Sequence, residues 1–151
     1  MKKLLAFLLF TFTAHLCAQN YKQWEDPYLK PNAPGSEELQ KASNCFYQGD
    51  IKNYLIALDC AGKKGNLLAL FNLGIDYLNG IDGYLIKDST QALNYFSYAA
   101  QQGYAPAQNN LAWMYENGLG IEQSDTEAIV WYQKAAEQGN IDAQKALKHL
   151  Q

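Results

Sequence analysis

Residues 107–140 read AQNNLAWMYENGLGIEQSDTEAIVWYQKAAEQGN, and this stretch decides the fold. Its Leu111-Ala112-x-x-Tyr115-x-Asn117-Gly118 falls on Leu73-Gly74-x-x-Tyr77-x-Asn79-Gly80 at an offset of 38. Its Ala135-Ala136-Glu137-Gln138-Gly139 falls on Ala99-Ala100-Gln101-Gln102-Gly103 at an offset of 36. The two-residue difference lies in a loop, where GIDGYLIKDSTQA faces GLGIEQSDTEA. A period near 36 residues marks an array of repeated supersecondary units.

Each unit reads as two helices. The first carries a core stripe at helical spacing, Ala69, Leu73 and Tyr77 in one copy and Ala107, Leu111 and Tyr115 in the next. Pro106 sits at a helix start, where its missing N–H is harmless. The second helix opens on a capping box, Asp88-x-x-Gln91 or Ser124-x-x-Glu127. It ends at Gly103 or Gly139, each able to take a left-handed conformation. Ala92, Ala99, Ala128 and Ala135 are small where helices approach, and Phe96 and Tyr132 fill the gaps between hairpins.

Working outward, Ser36 to Gly65 predicts a tighter hairpin turning at Gly49-Asp50. Residues 140–151 begin another first helix, with Ile141, Ala143 and Leu147 inward and Lys145 and Lys148 outward as a cap. The expected architecture is all-α: a right-handed α-solenoid of hairpins 36–65, 66–103 and 104–139, closed by a capping helix 140–151.

Residues 105–140 resemble a Sel-like repeat, a relative of the tetratricopeptide repeat, in nearly every element of the pattern Leu-Gly/Ala-x-x-Tyr-x-x-Gly-x-Gly then Ala-x-x-Trp-Tyr-x-Lys-Ala-Ala-x-x-Gly. Residues 67–104 depart in the longer loop and at Asn94-Tyr95. The resemblance covers about 115 of 151 residues. It implies an α-solenoid that binds other proteins. Some exported cysteine-rich relatives are linked to β-lactam binding with a cysteine pair in every repeat, and no such pair recurs here.

Upstream, Met1-Lys2-Lys3 and the apolar Leu4–Phe12 run read as a signal peptide over 1–18, cut after Ala18. Nine residues at ~1.5 Å rise cannot cross a ~30 Å hydrocarbon core. The expected location is therefore periplasmic or secreted, with no stable membrane span once the signal is removed. Residues 19–35 form an extended arm with three prolines and no helical period. Its Tyr21, Trp24 and Tyr28 are unusual for a solvated linker; the arm docks along the domain or becomes ordered with a partner, and docking is the stronger reading.

Composition then limits function. The chain has 151 residues, 48% hydrophobic and 18% charged, an ordinary globular balance. After loss of Lys2 and Lys3 the formal charge moves from −3 to −5, which disfavours nucleic acid and suits a basic protein partner. All twelve basic residues are lysine, so bidentate arginine contacts to phosphate or bases are absent. His15 and His149 supply neither a catalytic triad nor a multi-histidine zinc site. No catalytic residue, metal site or cofactor is assigned. Asp76, Asp82, Asp88, Glu116, Glu122, Asp125 and Glu127 read as solvated surface carboxylates. The glycines of Gly80-x-x-Gly83 and Gly118-x-Gly120 recur as turns within the repeats rather than as phosphate loops. Cys45 and Cys60 leave two readings open, a disulfide or two separate buried thiols.

The stronger signal is apolar residues off the core stripe. Phe71 and Ile75, with Asn109, Trp113 and Glu116 one repeat on, form a candidate partner-binding set on the concave face: an aromatic anchor with an acidic rim. The expected function is an exported, non-enzymatic protein-binding repeat protein. Its most concrete form is a periplasmic immunity protein neutralising a secreted, basic-surfaced antibacterial toxin such as a lipase effector. An envelope assembly or signalling adaptor is the alternative in the same class. An enzyme-like peptidoglycan- or β-lactam-binding protein belongs to another class and requires a polar cleft of convergent ionisable groups, which the sequence does not offer.

Overall fold

The computed structural model describes residues 26–150. A 3-10 turn at Pro27–Leu29 leads into seven α-helices among these residues: α1 (Ser36–Tyr47), α2 (Ile51–Lys63), α3 (Leu67–Asn79), α4 (Ser89–Gln101), α5 (Ala105–Asn117), α6 (Asp125–Glu137) and α7 (Ile141–Leu150). Each helix packs chiefly on the one before it and the one after it. The core is accordingly three clusters in series rather than one centre. Stability in such a stack comes from neighbour-on-neighbour burial.

The same backbone device closes each second helix. Gly103 and Gly139 take φ of 87° and 88°. The following amides, Tyr104 N–H and Asn140 N–H, each donate back to the carbonyls of Ala99 and Ala135 at 3.0 Å. A positive φ is cheap only for glycine, and this left-handed step satisfies carbonyls that the helix end leaves open. The next helix then starts at once. Asn66 Oδ1 accepts from Ala69 N–H at 3.0 Å, and Asn140 Oδ1 from Ala143 N–H at 2.9 Å.

The capping boxes are half present. Asp88 Oδ1 accepts from Thr90 and Gln91 N–H, and Ser124 Oγ accepts from Glu127 N–H. The return bond to the capping residue's own amide is taken by another partner. Asp88 N–H donates to the Tyr77 carbonyl at 2.7 Å, and Ser124 N–H to the Tyr115 carbonyl at 2.9 Å. Each second helix is thereby stitched to the end of its first helix at repeat-equivalent tyrosines. The two extra residues of the 80–88 loop lie between fixed ends, in a turn pinched by Ile81 and Leu85.

Ala92, Ala99, Ala128 and Ala135 are fully buried, as the close-approach reading requires. Ala69, Leu73, Ala107 and Leu111 form the buried stripe of α3 and α5. On α7, Ala143 is buried and Leu147 packs on the third cluster, with Lys145 and Lys148 exposed. Ile141 departs from expectation: it is 49% exposed, because it stands at the first turn of α7 rather than on its inner stripe.

The described part of the arm docks on the helix starts. Asn66, fully buried, donates through Nδ2 to the carbonyls of Pro34 (2.8 Å) and Tyr28 (3.2 Å). Tyr104 Oη donates to Asp26 Oδ2, and the Tyr28 ring meets the Tyr104 ring edge-on at 5.7 Å. Tyr21, Trp24 and the signal reading over 1–18 lie outside the described residues.

Candidate functional site

The five candidate residues separate into distinct environments. Phe71 is buried, its ring 5.7 Å from both Phe96 and Tyr104. It belongs to the core and not to a binding face, because the docked Tyr28 and Tyr104 close over the start of α3. Ile75 is half-buried against the same cluster and is a seam residue. Glu116 is half-buried and accepts a hydrogen bond from Tyr132 Oη at 2.7 Å. Its carboxylate therefore positions α6 against α5 instead of forming a free acidic rim. Burial and this carboxylate together push the Tyr132 hydroxyl above its usual range.

Trp113 differs from all of these. It is 41% exposed and lies in none of the three core clusters. Asn109, one turn before it, is half-buried, and Asn117, one turn after, is exposed and donates through Nδ2 to the Trp113 carbonyl at 2.9 Å. An exposed indole between two amides is an apolar surface with hydrogen-bonding edges and no formal charge of its own. Indoles in such positions are frequent binding anchors, since they offer large contact area with few rotamers to freeze.

Sequence reasoning missed one buried group. Asp76 is 4% exposed, not solvated. Its Oδ2 accepts from Tyr54 Oη at 2.8 Å, across the joint between α2 and α3. Desolvation dominates and pushes the Asp76 carboxyl up to about 7, with the tyrosine bond pulling partly the other way. The signal was in the repeat alignment: at an offset of 38, Asp76 falls on Met114, which is fully buried.

Cys45 and Cys60 are not bonded to each other. Nor are they two buried thiols, since Cys45 is half-buried and Cys60 exposed. Lys63 and Lys64, at the end of α2, reach Asp59 and Glu38 respectively. Among the described residues no three His, Cys, Asp or Glu side chains gather into a cluster able to hold a metal ion, and no helix is long and apolar enough to cross a membrane.

Two consecutive matches to the Sel1 repeat cover residues 67–104 and 105–140, the α3–α4 and α5–α6 hairpins with their closing turns. The chain is a Sel1-repeat protein. A solved Sel1 repeat protein from Oxalobacter formigenes superposes with a TM-score of 0.71 at 31% identity, over 78% of this chain and 34% of that one. Among curated proteins, a chitin synthase regulator of Malassezia restricta is 36% identical over 60% of this chain and 6% of its own length. An uncharacterized protein of Neisseria meningitidis serogroup B is 32% identical over 85% of this chain and 26% of its own length. This chain thus spans about a quarter or less of those curated relatives. Sel1 repeats mediate protein–protein interaction and serve as non-catalytic scaffolds. The all-α solenoid of the described residues is the Sel1-repeat architecture.

Proposed function

We propose that this Sel1-repeat chain is an exported, non-enzymatic protein that binds a protein partner through the exposed face of α5, with Trp113 as the anchor. The observation that carries the reading is the exposure of Trp113 beside a fully buried Ala107–Leu111 stripe on the same helix. The 41% of Trp113 that remains in water is an apolar surface, which a partner relieves at ~25 cal/mol per Å² covered. Export rests on the charged start and apolar run of residues 1–12.

In its most specific form the partner is a basic-surfaced toxin, and the chain is a periplasmic immunity protein that blocks it. The net negative charge favours this form over an assembly adaptor, because charge complementarity speeds encounter with a basic protein. Affinity capture from a periplasmic extract tests the reading, using the chain and its Trp113→Ala variant side by side with mass spectrometry. A protein held by the first and lost by the second is the expected result. Equal capture by both removes Trp113 from the site. A captured protein that is toxic when expressed alone and harmless with this chain supports the immunity form, and a harmless one replaces it with the adaptor.

A further inference from the structure

The first joint between hairpins is built unlike the next two. Tyr54 of α2 meets Asp76 of α3, and the same sites at the later joints hold Ala92 with Met114 and Ala128 with Leu150, at offsets of 38 and 36. The later pairs are apolar. The first is a carboxyl 4% exposed whose one hydrogen bond among the described residues comes from the Tyr54 hydroxyl at 2.8 Å. Its position is that of a latch. α2 and α3 fold back on each other at Gly65, where φ is 92°. Tyr54 and Asp76 each stand eleven residues from that glycine, ~16 Å at helical rise. Between turn and latch the joint is closed by Ala57, Leu58 and Ala61 against Ala69 and Leu73.

No described group packed around the joint neutralises that carboxyl. From α1 come the Phe46 ring, 5.2 Å from the Tyr54 ring, and the half-buried Cys45. Lys52 is exposed at the start of α2, which Asp50 caps through the Asn53 N–H. Lys63 and Lys64, near the turn, reach Asp59 and Glu38. From α4 comes Tyr95, stacked on Tyr77 at 5.5 Å. The 80–88 loop brings Asp82 and Lys87, both exposed, and Asp88, which caps α4. Among the described residues Asp76 joins no ion pair. An enclosed carboxyl without a cation favours its neutral form, and this one is pushed up to about 7, desolvation outweighing the tyrosine bond. Opening the joint returns it to water and to its ordinary value of 3.8. The closed joint therefore has its full strength below about pH 4 and loosens as pH rises through 7.

We propose that Tyr54 and Asp76 form a pH-sensitive latch: protonated, Asp76 holds the α1–α2 hairpin shut on α3, and its ionisation lets this one joint open while the two Sel1 repeats stay folded. Opening uncovers Ala69 and Leu73 on α3 and Ala57, Leu58 and Ala61 on α2. The Ala92–Met114 and Ala128–Leu150 joints carry no titrating group at the equivalent sites and stay shut over the same range. The attachment of the N-terminal hairpin thus becomes a function of the surrounding pH. The latch does not involve Trp113, which lies on α5, so failure of either reading leaves the other intact.

The test is hydrogen exchange of the full-length chain, read by mass spectrometry and corrected for the intrinsic pH dependence of amide exchange. Between pH 5 and pH 8 the protection of residues 51–63 should fall at least tenfold, as the linkage of one carboxyl requires, while that of residues 105–137 holds. Asp76→Asn should abolish this difference. Parallel loss in both segments would make the transition global and overturn the latch. Unchanged protection of 51–63, or a fall that persists in Asp76→Asn, would do the same. A second variant, Tyr54→Phe, keeps the ring and serves if Asp76→Asn does not fold. It strips the ionised carboxyl of its one bond, so protection of 51–63 should drop further at pH 8 than at pH 5, and an equal drop at both counts against the latch.

Discussion

The two Sel1 repeats solve one packing problem with different residues. In the 67–104 repeat, Gly74 lies under the Phe96 ring, and a Cβ built there would approach that ring to 2.6 Å. In the 105–140 repeat the equivalents are Ala112 and Tyr132, both buried. The tyrosine hydroxyl needs an acceptor once it is enclosed. Glu116 supplies it, where the first repeat has Leu78. Phenylalanine with leucine and tyrosine with glutamate are thus two matched pairs at the same sites. The repeats differ again at the next layer, where Asp76 holds Tyr54 in one and Met114 is simply apolar in the other. The comparison teaches that the repeat fixes where a residue is buried, while each copy chooses whether the burial is apolar or hydrogen-bonded.

The largest expected effect tests the shared part of that design. Phe96→Ala should lower stability by about 3–5 kcal/mol, since it empties a fully enclosed site. Thermal melts or urea titration measure it. A loss under 1 kcal/mol would show that the inter-helix gap collapses freely.

The next effect separates the repeats by pH. The folded carboxyl of Asp76 titrates near 7, above its ordinary value of 3.8. The folded state therefore holds this proton more tightly than the unfolded chain. The resulting stability is fully present below about pH 4 and is lost as pH rises through 7. Its ceiling is on the order of 4 kcal/mol, at about 1.4 kcal/mol per pKa unit. Melting temperature should thus fall between pH 5 and pH 8, and Asp76→Asn should flatten that slope. The same slope in both proteins would place the titration elsewhere.

Smaller still is Gly74→Ala, which copies the second repeat's residue into the first. Unless Phe96 moves, the new methyl overpacks the site and costs about 1–3 kcal/mol. A stabilised variant would mean that the ring shifts readily and that the glycine only weakens the helix.

The repeat itself was legible in the sequence because its marks are steric. Alanines at close approaches, glycines after helix ends and the Leu-x-x-x-Tyr spacing admit few substitutes, and the buried alanines and positive-φ glycines stand where that pattern put them. The candidate site was less legible. Phe71 and Ile75 share a helix face with the Trp113 position, but helical spacing does not report that the docked arm closes over one end of that face. Glu116 read as a rim charge because its acceptor role depends on Tyr132, sixteen residues away on another helix. Asp76 read as surface on residue type alone, although its alignment with Met114 pointed inward.

Trp113 is where the account is most exposed to test. Changed to alanine, it should lower stability by much less than Phe96→Ala does, because the side chain is 41% exposed and stands outside the core clusters. Affinity for the captured partner should fall at least tenfold, about 1.4 kcal/mol. Measured on one preparation by calorimetric melting and by partner titration, that pairing is the predicted result. A stability loss of about 3–5 kcal/mol with binding intact, as expected for a buried tryptophan, would contradict it.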